Sequence, residues 1–439
     1  MESPAFIKRF FAKAAVTGNK ADRHTRRTVA LCHALLSEHG EASGAALARE
    51  ALAAYRTLCG PALSAFFDVL AREFSPDPEE VEKAAKAYGQ DASQANLIRL
   101  QNIVESRRQE LFRRINLATG GTAALVEMRR RVLHELRAQP HWAGIDADLA
   151  HLLSSWFNRG FLTLQRIDWR TPALVLEKLM QYEAVHEIQG WRDLRRRLES
   201  DRRCFAFFHA ALPDEPIIFI EVALTKGMSD QVQPLLDPDS PVVDAVGADT
   251  AIFYSITNCQ EGLRGISFGN FLIKQVAEDL GREFPRLKTF ATLSPIPGFR
   301  KWLVDTAGAH AELAELVGTL AQPDWFERAG PGTPVRTELM RLCAYYLKHA
   351  KHDKEPADAV ARFHLGNGAR MERLNWLADT SKTGMARSAG LMVNYAYRLK
   401  DVERNHEVYA KEHVVVASPG LSLLARGSLM ARLKSARKE

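Results

Sequence analysis

The sequence predicts an α+β chain in two parts, an all-helical domain over residues 1–160 and a mixed α and β domain over residues 161–439. Three observations predict it. Apolar residues in the first part recur with the 3.6-residue period of a helix and nowhere alternate with period two. After about residue 165 the composition shifts to short runs rich in Phe, Ile, Val and Thr, bounded by Pro, Gly, Asp or Asn, as strands are. Helical periodicity then returns between and after those runs, so the second part holds both element types.

Taken in order, Val29, Cys32, Leu35 and Leu36 fall on one helical face, and Gly40 punctuates the chain. Ala45–Leu58 repeats the pattern and Gly60-Pro61 ends it. Leu63, Phe66, Phe67 and Leu70 make the next apolar face, and Ser75-Pro-Asp-Pro78 is a turn and a helix start. Leu97–Ile115 and Ala123–Leu136 read as long helices rich in Leu, Arg and Glu. None of these carries a chemical motif, so packing or assembly is their expected role. Strands are expected at Arg202–Ala210, Pro216–Thr225, Thr250–Thr257 and Leu287–Leu293, with a helix over Asn270–Glu283 between the last two. Helices resume from Trp302, Pro334–Lys348 and Asp379–Arg398 being the clearest.

Composition excludes several classes. Hydrophobic residues at 46% and charged residues at 26% suit a globular chain and not a disordered one. No apolar run approaches the ~18–20 residues of a membrane helix; Ile217–Leu224 is strand-length and contains Glu221. The 59 basic and 53 acidic residues leave a net charge of +6, compatible with an anionic ligand but too diffuse to imply nucleic acid. Arg129–Arg131 and Arg195–Arg197 read as solvated helix faces. The five cysteines are scattered, without a CxxC pair, which disfavours a zinc site or a disulfide framework and suggests a reducing compartment. The first residues lack the apolar stretch of a secretory signal, so the expected location is the cytoplasm.

Three features suggest chemistry. After the strand ending at Thr257, Gly262, Gly265 and Gly269 punctuate a connection into a helix, where backbone can turn sharply and a helix N-terminus attracts phosphate. Neither GxGxxG nor GxxxxGK[ST] is present. The strand-loop-helix with Arg264 looks like the pyrophosphate loop of the acetyltransferase fold that binds coenzyme A, although Arg264-Gly-Ile-Ser-Phe-Gly269 departs from that loop's spacing. Next, Ser294 precedes Pro295 and Pro297 on a stiff turn at a strand end. It lacks the glycines of a nucleophile elbow, having Thr292 and Ile296 at the flanking positions. It either finishes a strand or donates a hydrogen bond to a bound acyl group. Last, His364 stands out among 14 histidines by its setting in Arg362-Phe-His-Leu-Gly-Asn-Gly368. It is a candidate proton donor or acceptor with ordinary titration near neutrality, or a structural histidine beside a turn. His186 is its rival and reads as structural.

Together these pieces resemble the malonyl-CoA decarboxylase family. The agreement covers Tyr182-Glu-Ala-Val-His186, Glu215-Pro-Ile-Ile with Val222-Ala-Leu-Thr225, and Phe271-Leu-Ile-Lys274. It continues through Leu293-Ser-Pro-Ile-Pro-Gly-Phe299, Phe363-His-Leu, Asn367-Gly-Ala369, Asn375-Trp376 and Leu391-Met-Val-Asn-Tyr395. The resemblance implies a helical domain that assembles a homotetramer, followed by an acetyltransferase-like catalytic domain. It implies conversion of malonyl-CoA to acetyl-CoA and carbon dioxide with no metal or organic cofactor, and neither nucleic acid nor membrane as partner. The family's catalytic serine falls on Ser294 and its histidine on His364. Its coenzyme A loop falls on Arg264, Gly265, Ile266, Ser267, Phe268, Gly269 and Asn270. Ser267 stands where animal members often have an acidic residue, and Tyr397 where a supporting tyrosine is expected, with Tyr395 as the alternative register. Two rivals remain. An N-acetyltransferase would need an acceptor base and channel rather than the Ser294–His364 pair; a coenzyme A-binding sensor would need neither.

Overall fold

The structure, a computed structural model, describes residues 20–266, 268 and 272–436. It divides into two compact units. The first comprises the chain up to Thr163 together with Phe208–Glu215 and Gln260–Phe268; the second comprises Leu164–Phe207, Pro216–Cys259 and the chain from residue 269 onward.

The first unit is built on helices α1 (Lys20–Ser37), α2 (Glu41–Arg56), α3 (Gly60–Glu73), α4 (Pro78–Gln90), α5 (Gln94–Val104), α6 (Arg107–Asn116), α7 (Gly121–Glu135) and α8 (Ala143–Trp156). Pro61 and Pro78 occupy first-turn positions, where a missing N–H costs nothing. Asp77 and Ser93 cap their helices by accepting the amides of Glu79 and Asn96. The apolar faces meet in a core containing Leu35, Phe66, Phe67, Phe112, Leu125, Trp142 and Leu153. One expected helix, Leu97–Ile115, is two. The chain breaks at Glu105 and restarts after Ser106, whose hydroxyl donates to Asp148 at 2.6 Å. Asp148 also accepts from Nε of the buried Arg108 at 2.9 Å, so a buried ion pair fixes the break.

In the second unit an eight-stranded sheet runs in the order β1-β2-β3-β4-β5-β10-β6, with β9 pairing β10. Its strands are β1 (Leu162–Ile167), β2 (Arg202–His209), β3 (Leu212–Thr225), β4 (Thr250–Asn258), β5 (Thr289–Thr292) and β6 (Ser294–Pro295), then β9 (Arg370–Asn375) and β10 (Met392–Ala396); β7 (Lys351–His352) and β8 (Glu355–Pro356) form a separate hairpin. β4 and β5 are parallel, joined through the helix Leu272–Glu283, whereas β3 pairs β4, and β10 pairs β5, β6 and β9, antiparallel. A bulge places Tyr254 unpaired between Val222↔Phe253 and Glu221↔Ser255. The β4–β5 register runs only from Thr250↔Thr289 to Phe253↔Thr292, and β4 continues to Asn258.

Asp379–Arg398 is not one helix. A short helix, Lys382–Ser388, ends at Ala389 and Gly390, both left-handed at φ +54° and +74°, and the chain then extends as β10. Two residues in that conformation cannot continue a right-handed helix. Arg195–Arg197 and Arg129–Arg131 are not wholly solvated faces either. Arg129, Arg196 and Arg197 are buried, and each has an acid in hydrogen-bond contact: Asp146 for Arg129, Asp201 for Arg196, and Asp193 and Glu221 for Arg197. A buried guanidinium persists only when paired in this way.

Candidate active site

Three segments of the second unit converge. Ser294 begins β6, directly after Thr292 and Leu293. His364 lies in the last turn of the helix Ala359–Gly366. Tyr395 belongs to β10, and Tyr397 follows that strand, its amide donating to the Phe290 carbonyl. The register Val393↔Ser294 and the alternation of side chains along strands put Thr292, Ser294, Tyr395 and Tyr397 on one face of the sheet. Pro295 and Pro297 keep the chain beyond Ser294 from continuing as a regular strand. Asp358 caps the histidine's helix, accepting the Ala361 amide at 2.9 Å, and also takes the Gly298 amide, which ties that helix to the turn after Ser294.

The polar groups form one chain. Tyr397 Oη lies 2.8 Å from His364 Nδ1, His364 Nε2 lies 3.0 Å from Ser294 Oγ, and Ser294 Oγ donates to Thr292 Oγ1 at 2.7 Å. Thr292 Oγ1 also accepts the Tyr395 amide at 3.2 Å. With the Ser294 proton directed at Thr292, the serine oxygen accepts from His364, so Nε2 carries the imidazole proton. Nδ1 is then the acceptor for the Tyr397 hydroxyl. The donors run in a single direction, from Tyr397 through His364 and Ser294 to Thr292. The Tyr395 ring stacks on the imidazole at 4.5 Å between centroids and an interplanar angle of 26°. Both tyrosines therefore touch His364, one by hydrogen bond and one by stacking.

Ser294 and His364 keep 5% and 3% of their surface exposed. Burial pushes the His364 pKa down to about 3. A helix C-terminus favours the imidazolium by ~2 kcal/mol at most, about 1.5 pKa units, so burial prevails. The expectation of a histidine titrating near neutrality is thus corrected: the group is neutral across the physiological range. Stability follows by linkage. The unfolded chain binds this proton at about pH 6.5 and the folded chain does not, so His364 favours folding above that value and opposes it increasingly as pH falls toward 3. We expect NMR of imidazole-15N-labelled protein to show His364 protonated at Nε2 alone and unchanged from pH 8 to about pH 5. An imidazolium signal titrating near pH 6.5 would contradict this.

Thr292 and Asn394 drew no role from the sequence, and Tyr395 only that of the alternative register for Tyr397. Asn394 is fully buried and donates from Nδ2 to the Thr292 carbonyl at 2.7 Å. Two side chains thus bridge β5 to β10 where Thr292 meets Tyr395. Only the inward position of Thr292, two residues before Ser294, could have suggested it. His186 makes other contacts: its amide donates to Glu183 Oε1 at 2.9 Å and its carbonyl accepts from Arg197 Nη2 at 3.0 Å.

Arg264, Gly265, Ile266 and Phe268 belong to the first unit, Arg264 and Gly265 exposed and Ile266 and Phe268 buried. Ser267, Gly269 and Asn270, also expected in the loop, lie outside the described residues.

Residues 160–437 match the family model described as the malonyl-CoA decarboxylase C-terminal domain, and residues 74–157 match the model for its N-terminal domain. The chain is 37% identical over 396 residues to mitochondrial malonyl-CoA decarboxylase of Anser anser anser, covering 81% of this chain and 79% of the goose protein. The crystal structure of malonyl-CoA decarboxylase from Rhodopseudomonas palustris superposes with a TM-score of 0.86 at 49% identity, covering 90% of this chain and 98% of that one. The Agrobacterium vitis structure of the same description gives 0.84 at 49% identity, with coverages of 91% and 99%.

Proposed function

The chain belongs to the malonyl-CoA decarboxylase family, and on that premise we propose how its residues carry the reaction. The enzyme is a carboxy-lyase that takes malonyl-CoA to acetyl-CoA and carbon dioxide. When the C–C bond to the carboxylate breaks, its electron pair passes into the thioester as an enolate. Carbon dioxide leaves and a proton returns to the α-carbon. The barrier falls when donors face the developing oxyanion and the carboxylate is turned perpendicular to the carbonyl plane.

Ser294 holds and orients the malonyl group, and His364 protonates the enolate. The observation that carries this reading is the 3.0 Å contact between them in a buried, water-poor setting. A neutral imidazole can donate to so basic a carbon if its other nitrogen receives a proton in the same movement, and Tyr397 at 2.8 Å is placed to relay one, the proton consumed by the reaction being replaced on the phenol from solvent before the next turnover. Backbone N–H groups of β4 beyond Phe253, where the pairing with β5 ends, are the proposed oxyanion donors. The exposed loop at Arg264 and Gly265, leading toward the helix Leu272–Glu283, is proposed to take the phosphates of coenzyme A.

The catalytic unit is read as acetyltransferase-like, supported by the strand order and by a parallel pair, β4–β5, joined through a helix. Assembly as a homotetramer through the helical unit is supported by apolar side chains left exposed there, Leu117 at 79% foremost. Among the described residues no helix is long and apolar enough to cross a membrane, and the five cysteines form no disulfide. The cytoplasm is the proposed compartment; the goose relative is named mitochondrial.

Catalysis without a metal is part of the proposal. Among the described residues no group of His, Cys, Asp and Glu side chains is arranged to hold an ion. The purified full-length chain should release carbon dioxide from malonyl-CoA, with no acyl acceptor, at an unchanged rate in excess chelator. Loss of activity in chelator that zinc restores would refute the metal-free reading. A requirement for an amine acceptor would favour acyl transfer.

A further inference from the structure

The run Arg129–Arg131 looks from sequence like a solvated helix face, yet Arg129 points inward from α7 and keeps only 5% of its surface exposed. Its Nε donates to Asp146 at 2.8 Å, which answers the charge. Its Nη1 donates to two carbonyls, those of Gly262 and Arg264, at 2.8 and 2.9 Å. Arg264 begins the segment proposed to hold the coenzyme A phosphates, and Gly262 lies two residues before it. The contact is close along its length. A β-carbon on Gly262 would stand 2.0 Å from the Val126 carbonyl of α7, so only glycine lets the loop backbone lie there. At the edge, His134 Nε2 and Glu261 Oε2 are 2.9 Å apart.

The geometry fixes a peptide plane. In a trans peptide the carbonyl and the following N–H point in opposite directions. With the Arg264 carbonyl held on Arg129, the Gly265 N–H points away from Arg129. Gly265 is exposed, has φ +79°, and has open space where a side chain would be. A backbone N–H presented in this way suits a phosphate oxygen. We propose that Arg129 is a positioning residue for the phosphates of coenzyme A, so that the helical unit sets how tightly the nucleotide end of the substrate is held. This rests on the reading of the loop as the phosphate site, and gives the helical unit a task beyond assembly.

The test uses full-length Arg129→Met and Arg129→Lys, two substrates and one binding measurement. Arg129→Met should weaken coenzyme A binding in calorimetry, and raise the KM for malonyl-CoA, by about tenfold or more. Arg129→Lys should fall between, since a lysine does not reproduce the planar fork. Malonyl-pantetheine has no phosphates for the loop to hold, so its kcat/KM should change by less than about twofold in either variant. Equal losses on both substrates would mean that Arg129 only supports the fold, and unchanged coenzyme A affinity would mean that it does not act on the loop; either overturns the proposal. Gly265→Val separates the two readings. If it leaves coenzyme A affinity intact, the loop is not the phosphate site and both readings fall. If it weakens binding while Arg129→Met does not, only the role of Arg129 is lost.

Discussion

Replacing His364 by alanine is expected to lower turnover about 10²–10⁴-fold, the range for loss of a positioned proton donor. The size follows from where the imidazole stands. Its Nε2 meets Ser294 at 3.0 Å and its Nδ1 meets Tyr397 at 2.8 Å, so alanine removes the link through which a proton reaches the acyl end. It also strips Tyr395 of the ring it stacks on. Coenzyme A affinity should change little, because the phosphates are assigned to the loop at Arg264–Gly265. That retained affinity is the check that the variant is folded. Tyr397→Phe should cost less than His364→Ala, since it removes the proton resupplied to Nδ1 and leaves the donor in place. A His364→Ala enzyme turning over near the normal rate would remove His364 from catalysis and return His186 to consideration.

The sequence was legible where the signal is local. Helical periodicity located the first unit, and β-branched runs with turn residues located β2, β3, β4 and β5. Ser294 and His364 were distinguished by unusual surroundings, prolines in one case and a glycine-bearing turn in the other. What brings them together was not legible. The strand that carries Tyr395 hides in a stretch with helical composition, and only two consecutive left-handed residues, Ala389 and Gly390, stop the helix. Thr292 is an ordinary strand residue until the pairing with β10 puts its hydroxyl between Ser294 and the Tyr395 amide. Arg129 shows the same limit from the other side. An arginine tract on a helix gives no sign of which member is buried, because the answer depends on an acid 17 positions along and two carbonyls more than 130 positions away.

Ser294→Ala is expected to lower turnover by roughly 10²–10³-fold, the range for losing a donor whose bond strengthens as charge develops. In the resting enzyme the Ser294 proton is engaged with Thr292, and turning it toward the substrate costs only that exchange. Ser294→Thr should keep part of the activity, because the hydroxyl survives while the added methyl crowds a site that is 5% exposed. A nucleophilic serine would behave otherwise. It would need a base to take its proton, whereas here His364 presents an N–H to it, and the chain at Ser294 has no elbow glycines. It would also accumulate an acyl-enzyme and give a burst of product.

The assignment of Ser294 as a hydrogen-bond donor and His364 as the proton source is therefore tested most directly by the mass of the intact protein, quenched in acid while turning over malonyl-CoA. The predicted result is the unmodified chain at every time point, with carbon dioxide and acetyl-CoA accumulating without a burst. A malonyl or acetyl adduct mapped to Ser294 would contradict it.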